Sequence, residues 1–344
     1  ERRECCLVPF SSNVGKFLLL IYRDRCQRRA IESEQEVSLN WLRRKRQKKP
    51  GALGLAFSEQ GLAMVWVDPS AETQKLKHWE LLVESPSQIG ALLAERVAQL
   101  ELEHMPCSVV LSADHYELQL VEAPNVPISE RLAAVRFLLK DKVKMPLDDL
   151  NIDIFTVPEG AYPRPMLYAV GASMQHLIEI RDLVLESGLR LERIDIREMA
   201  VRSLALALTE AEDGLAVLDV RDGQARLSLM RDGTLYLCRS LNTKIDQASM
   251  ASSDWAFNFE RFLVELQRSL DFFENQMGQG QVMQLLLAPV PGVTNQLIEQ
   301  LNLNLVAQAS ALNLNELWNT GSLLSARDQH EVLFAAGAVL GGDA

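Results

Sequence analysis

The chain has no paired cysteine spacing, no apolar run of membrane-spanning length near its start and no standard catalytic fingerprint. Its five cysteines, Cys5, Cys6, Cys26, Cys107 and Cys238, are an odd number without a repeated interval. That excludes a disulfide framework and predicts reduced thiols in a cytosolic setting. The longest early apolar run, Phe17 to Tyr22, is shorter than a signal-peptide core and far short of the roughly 20 residues that span a bilayer. The chain is therefore expected neither to cross a membrane nor to carry an export signal. Gly-x-Ser-x-Gly, Walker A and dinucleotide patterns are all missing, which removes the commonest hydrolase and nucleotide classes.

What is there is an ordinary globular composition, 344 residues at 48% hydrophobic and 24% charged, enough for two or three domains with a sizeable core. The net charge of −11 is unevenly spread. Residues 1–50 hold 13 Lys/Arg against 6 Asp/Glu, a surplus of seven that leaves −18 on the rest. Residues 1–36 begin with Glu, contain no methionine and show no sustained period, so they are set aside from the fold, with the true start expected near Val37. Between Ser38 and Pro50, the pair Trp41-Leu42 runs into Arg43, Arg44, Lys45, Arg46, Lys48 and Lys49. Such a cluster either lies on anionic lipid or forms a solvated tail. Nucleic-acid binding would rest on this leader alone, and the acidic body opposes it.

Two stretches, Leu53 to Val67 and Leu215 to Met230, each read as apolar strand, tight turn at a glycine, apolar strand. Their turn glycines, Gly61 and Gly223, lie 162 residues apart, which points to two related half-domains. Around them the pattern predicts strands at 79–83, 108–112, 117–121, 151–157, 166–171 and 190–195. It predicts helices at 88–101, 128–142, 174–186 and 197–208. Ser129 and Ser173 are placed as helix caps, Gly188 as a helix stop, and Asp195 as the cap of the last of these helices. After the acidic linker Thr209–Gly214, Asp232-Gly233 predicts a tight hairpin into a third strand, 234–239. Phe259, Phe262, Leu266, Leu270 and Phe273 mark a helix that ends at Gly278. A strand at 282–288, a helix at 293–301, a strand at 304–307 and a small-residue segment at 332–340 complete the reading. Alternating strands and helices place the protein in the α/β class.

The duplication resembles the actin-like (ribonuclease H-like) ATPase architecture, in which each hairpin grips phosphate from one side of a cleft. Such a site needs an acid closing each hairpin's first strand, to hold hydrated Mg²⁺, and small turn residues that let backbone N–H groups reach phosphate. Asp219 stands in the second hairpin's acid position, but Arg221 takes a glycine's place and Asp222 opposes phosphate. In the first hairpin the acid position falls on Ala56, and the turn reads Ser58-Glu59-Gln60-Gly61. The expected glycine-rich adenosine turn reads Ala288-Pro289-Val290-Pro291-Gly292, where two prolines remove two donors. The candidate nucleotide-binding residues are thus Asp219, Arg221, Gly223, Ser58, Gly61 and Gly292. A second candidate group, His104, Cys107, Asp114 and His115, has borderline metal-ligand spacing. Structural zinc wants four ligands and no second cysteine pair exists, so a solvated loop explains the group more simply. No metal and no catalytic residue is assigned.

Ala134 to Asp149, followed by the strand Ile152-Asp153-Ile154-Phe155, resembles the PilM family of type IV pilus assembly proteins, as does Leu266 to Gln276. The resemblance runs from about Gly51 to Leu340 and is nearest the branch serving the mannose-sensitive haemagglutinin (MSHA) pilus. It implies an FtsA-like actin fold with an inserted subdomain in the first half. On that frame the leader is 1–49, the first half 50–112 plus 189–212, the insertion 113–188 and the second half 213–344. It further implies a cytoplasmic scaffold, peripheral to the inner membrane. The scaffold would dock the tail of a bitopic PilN-like (MshJ-like) partner and contact the pilus assembly complex and its motor ATPase. With only Asp219 kept among the motif acids, a non-catalytic pseudo-ATPase requiring no cofactor is expected. The alternative is an active ATPase that binds ATP and Mg²⁺ through Asp219.

Overall fold

The computed structural model describes residues 51–58, 60–68, 75–209, 214–221, 223–318 and 323–341. The membrane-surface candidates Trp41 to Lys49, and the turn residues Glu59 and Asp222, lie outside the described residues.

The first half opens with β1 (Ala52–Ser58), β2 (Gly61–Asp68) and β3 (Lys75–Leu82), an antiparallel meander. Helix α1 (Ile89–Gln99) leads to β4 (Pro106–Val110), parallel to β1. The chain then leaves the sheet for β5 (Tyr116–Glu122), α2 (Ile128–Leu138), β6 (Leu150–Thr156) and β7 (Met166–Ser173). It returns through α3 (Met174–Glu186) to β8 (Arg190–Asp195), parallel to β4, and ends the half with α4 (Arg197–Leu208). The second half repeats the order. A meander β9 (Gly214–Arg221), β10 (Gln224–Arg231) and β11 (Thr234–Leu241) is followed, past a single turn at Gln247–Met250, by α5 (Trp255–Asp271). Then come β12 (Val282–Leu287), α6 (Thr294–Asn304), β13 (Gln308–Ala311) and α7 (Ala326–Leu340). The sheets read β3-β2-β1-β4-β8 and β11-β10-β9-β12-β13, with the same directions in the same places. The duplication inferred from two hairpins therefore extends over every strand of the two five-stranded sheets, and the single large difference is what fills the β4-to-β8 crossover.

Four hydrophobic cores follow from the strand faces. Leu53 and Leu55 point outward from the first sheet into a core with α1 and α3, which supply Leu93, Val97, Leu177 and Val184. The second sheet turns Leu227, Leu285 and Leu287 toward α5 and α6. Between the sheets lie α4 and α7, packed among Ala56, Val65, Val217 and Met230. The three-stranded sheet β5-β7-β6 has its own small core, closed by Val135 and Leu139 on and just after α2. Its other face carries Tyr168 and Val170 onto the cores of the two halves. Thus α2 is the outermost layer of the insertion, whereas α3 packs back on the first sheet.

The central layer is unusually close. A Cβ on Gly54 would lie 1.9 Å from the Ala335 carbonyl oxygen, and one on Gly337 2.4 Å from that of Ala200. Glycine is required at both places because β1, α7 and α4 touch through backbone. Gly61 is fixed by a similar contact: its φ is +148°, and a Cβ would meet the Leu82 carbonyl oxygen at 2.1 Å.

Several local expectations hold. Asp232 (φ 48°) and Gly233 (φ 69°) form the left-handed turn between β10 and β11. Ser173 Oγ accepts from His176 N at 3.3 Å, capping α3, and Gly188 stops it at φ 86°. Others need correction. Ser129 does not cap α2, which starts after Pro127 and ends at Leu138, short of the expected 142. Asp195 does not cap α4; its carboxylate accepts from Ile196 N (2.8 Å) and pairs with Arg193 (3.3 Å). The strand expected at 304–307 is the end of α6 and a bend, because Leu297 and Leu301 follow a helical face. The strand begins at Gln308, where Asn302 brackets Ala309 through both backbone groups. The small-residue segment 332–340 belongs to a helix of 15 residues, opened by a capping box between Ser325 and Asp328.

Candidate functional site

At the end of β9, Asp219 and Arg221 are both buried, and their side chains approach to 3.7 Å (Oδ1 to Nε). They face a cleft of about 180 Å³ lined also by Ser112, Asp114, Arg197, Gln224 and Arg226. The lining draws on both halves and on the turn that leads into the insertion. Asp219 Oδ1 is buried without a hydrogen-bond partner. Ser58, Gly61 and Gly292 do not line this cleft. Ser58 Oγ accepts from Gln60 N and donates to the Gly61 carbonyl, an ordinary self-contained turn. Gly223 (φ 73°) makes the second hairpin's turn, and Gly292 (φ 82°) precedes α6.

All three positions where phosphate or adenosine grips were expected are tied to α7. Gln60 donates its amide to both carboxylate oxygens of Glu331 (2.5 and 2.9 Å). Arg221 Nη2 donates to the His330 carbonyl at 2.7 Å. His330 Nδ1 donates to Pro289 O at 2.7 Å, holding the proline turn. Between these contacts two guanidiniums lie over the buried Phe334 ring, Arg197 at 4.8 Å and Arg221 at 4.6 Å from its centroid. Cation–π contacts of this kind strengthen where water is displaced. Ala56, at the missing acid's position, is 3% exposed in the same central core.

Beside the cleft, Glu198 joins three parts of the molecule. Tyr116 Oη, from the first strand of the insertion, donates to Glu198 Oε2 at 2.6 Å. Arg226, from β10, donates to Glu198 Oε1 and, at 3.2 Å, to Tyr116 Oη. Burial, and then the Glu198 charge, push the Tyr116 phenol well above its ordinary pKa, so it stays a donor. Cys238, a free thiol 4.0 Å from Glu198, is raised for the same two reasons. This network can hold the insertion and the halves in one arrangement; it offers no activated nucleophile.

The residues present do not fit a magnesium nucleotide. Three arginines outnumber the two aspartates in the cleft, which disfavours a dication. Its volume is below the 300 Å³ or so at which small-molecule sites usually begin. Among the described residues no three His, Cys, Asp or Glu side chains group to hold a metal. Of the weaker metal candidates, Cys107 is buried on β4, whereas His115 stacks on His176 with ring centroids 3.6 Å apart. Sequence reasoning missed Arg197, Glu198, Arg226, His330 and Phe334. Their one visible signal was charge inside otherwise apolar periods, as at Arg226 between Ala225 and Leu227.

Fold and cleft together define a duplicated actin-like α/β protein with a subdomain inserted in its first half. No family model and no curated protein matches the chain. Among solved structures it is similar to a PilM–PilN type IV pilus biogenesis complex, with a TM-score of 0.60 and 20% identity over 84% of this chain and 97% of that one. At that identity the likeness establishes the fold, which is the one expected from the sequence. Two further structures are the cytoplasmic domain of EpsL, an inner membrane component of the type II secretion system of Vibrio cholerae, and a Bacteroides thetaiotaomicron protein with an actin-like ATPase fold. They match at 14% identity with TM-score 0.46 (82% of this chain, 94% of that one) and at 11% with 0.48 (83% and 96%). Scores below 0.5 add nothing to the assignment.

Proposed function

We propose that the chain is a non-catalytic scaffold of type IV pilus biogenesis, of the MshI kind that serves an MSHA-type pilus. It docks the short cytoplasmic tail of a bitopic PilN-like (MshJ-like) inner-membrane protein and links it to the assembly machinery and its motor ATPase. The observation that carries this reading is the shared fold with PilM over nearly all of that protein's length, combined with a cleft whose grips are turned onto α7. It works in the cytoplasm, peripheral to the inner membrane; no helix among the described residues is long and apolar enough to cross one. Titrating the full chain with the tail peptide of its PilN-like partner should give saturable binding, with and without nucleotide. No binding in either condition would sink the proposal.

A second reading, an active actin-like ATPase, is favoured by one observation: the buried Asp219 Oδ1 lacks a hydrogen-bond partner. A ligand at 100 times its dissociation constant stabilises a fold by about 2.7 kcal/mol. Thermal melting in millimolar Mg-ATP therefore separates the two. An unmoved transition supports the scaffold, and a clear upward shift supports the ATPase.

A further inference from the structure

Helix α2 has an apolar side on each face. Val135 and, one residue past the helix, Leu139 point into the insertion's core, where Leu139 is fully buried. Phe137 points the opposite way and is 78% exposed, with Leu138 at 44% beside it. The turn that follows presents Lys140, Lys142 and Lys144, all exposed. It is an ordered turn. Lys142 N and Val143 N both donate to Leu139 O, and Lys144 N donates to Glu117 Oε1 at 2.8 Å. None of the three lysine side chains has a carboxylate within 4 Å among the described residues.

The charge here runs against the rest of the molecule. Residues 140–144 hold Lys140, Lys142 and Lys144 against Asp141 alone, within a body that carries −18 after residue 50, while Arg136 turns back to Asp148 and to the Leu147 and Leu150 carbonyls. This basic turn borders an exposed aromatic on the outermost layer of the insertion. The turn stands at a helix end, and exposed apolar side chains bordered by lysines match a bilayer interface, where rings enter the headgroup layer and ammonium groups meet anionic lipid. We infer that the insertion's outer tip, Phe137 and Leu138 with Lys140, Lys142 and Lys144, is a contact surface for an anionic membrane. The inference rests on the reading of the chain as a membrane-side scaffold and names the face that it turns to the bilayer.

The test is co-sedimentation of the full chain with phosphatidylglycerol-containing vesicles and with neutral phosphatidylcholine vesicles. Lys140→Ser, Lys142→Ser and Lys144→Ser combined, and Phe137→Ser separately, change exposed side chains and leave Val135 and Leu139 in place. An unchanged melting temperature verifies the fold. Binding is expected on anionic vesicles only, weakening with salt. The triple variant should lower the partition coefficient roughly 100-fold, and Phe137→Ser about tenfold. A companion variant replaces Arg43, Arg44, Lys45, Arg46, Lys48 and Lys49 by Ser. If that variant alone abolishes binding and the tip variants leave it unchanged, the inference is wrong. It is also wrong if the tip variants instead abolish self-association in sedimentation velocity while wild type ignores vesicles, because the surface then meets a second copy. Tail-peptide titration of the same variants separates the two proposals. Tail binding with tip-independent vesicle binding overturns this inference alone, and tip-dependent vesicle binding without tail binding overturns the scaffold role alone.

Discussion

The two hairpins share strand order, direction and turn glycine, yet they have taken opposite paths at the cleft. In the first, the strand end at Ala56 is neutral and packed on α7, and the turn spends its polar groups on itself and on Glu331. In the second, Asp219 and Arg221 are retained and buried, with Arg221 supported by the Phe334 ring and the His330 carbonyl. Fold duplication thus preserves backbone geometry far more strongly than side-chain chemistry. A hairpin needs only alternation and a left-handed turn, and either lining satisfies those.

Placing an acid in the first hairpin tests that asymmetry most severely. Ala56→Asp buries a carboxylate in an apolar layer with no partner, and a loss of about 4 kcal/mol or more is expected, read as a lower denaturation midpoint. If the variant were as stable as wild type and gained affinity for Mg-ATP, the first hairpin would have kept its capacity for phosphate. Glu198→Ala comes next, at about 3 to 5 kcal/mol, because it strands the Arg226 charge and the Tyr116 hydroxyl together. Asp219→Ala should cost less, about 1 to 3 kcal/mol, since Arg221 keeps its carbonyl and ring contacts. A neutral or stabilising outcome there would mean that the retained acid strains the fold and is kept for a ligand.

The smallest effect expected is a pH dependence at the entry to the insertion. Burial, and then the neighbouring His115 ring, hold His176 below the ordinary histidine pKa. The folded chain refuses a proton that the unfolded chain accepts. Stability from this site is therefore complete above about pH 6.5 and is lost as pH falls from there toward the folded value. Denaturation midpoints at about pH 7.5 and 5.5 should differ in that direction, and His176→Asn should flatten the difference. An identical slope in the variant would assign the dependence elsewhere.

The strands other than β13, the helices α1 to α6 and the duplicated frame were legible because their apolar periods are clean and their turns carry glycine in the left-handed region. Helix α7 was not, for a physical reason. Phe334-Ala335-Ala336-Gly337-Ala338 is buried all round, so it has no polar face from which a period could be read. The apolar run Leu305-Val306-Ala307 after Asn304 imitated a strand although Val306 is exposed, and it displaced β13 by four residues. The cleft was half legible: Asp219 and Arg221 stood out within one hairpin. Arg226 faces Asp219 across the same hairpin, whereas Asp114 and Arg197 arrive from two separate segments of the first half that only the fold brings to them.

The insertion leaves and rejoins the first half through neighbouring points, since Tyr116 pairs with Ala172 on adjacent strands. A block with adjacent ends behaves as a cassette: it can be exchanged between relatives without stretching the host sheet. The Glu198 network sets the condition of such a graft, because Tyr116 travels with the cassette while its acceptor stays behind. A chimera that keeps a tyrosine at that position should seat, and one that brings phenylalanine should leave Glu198 with Arg226 alone.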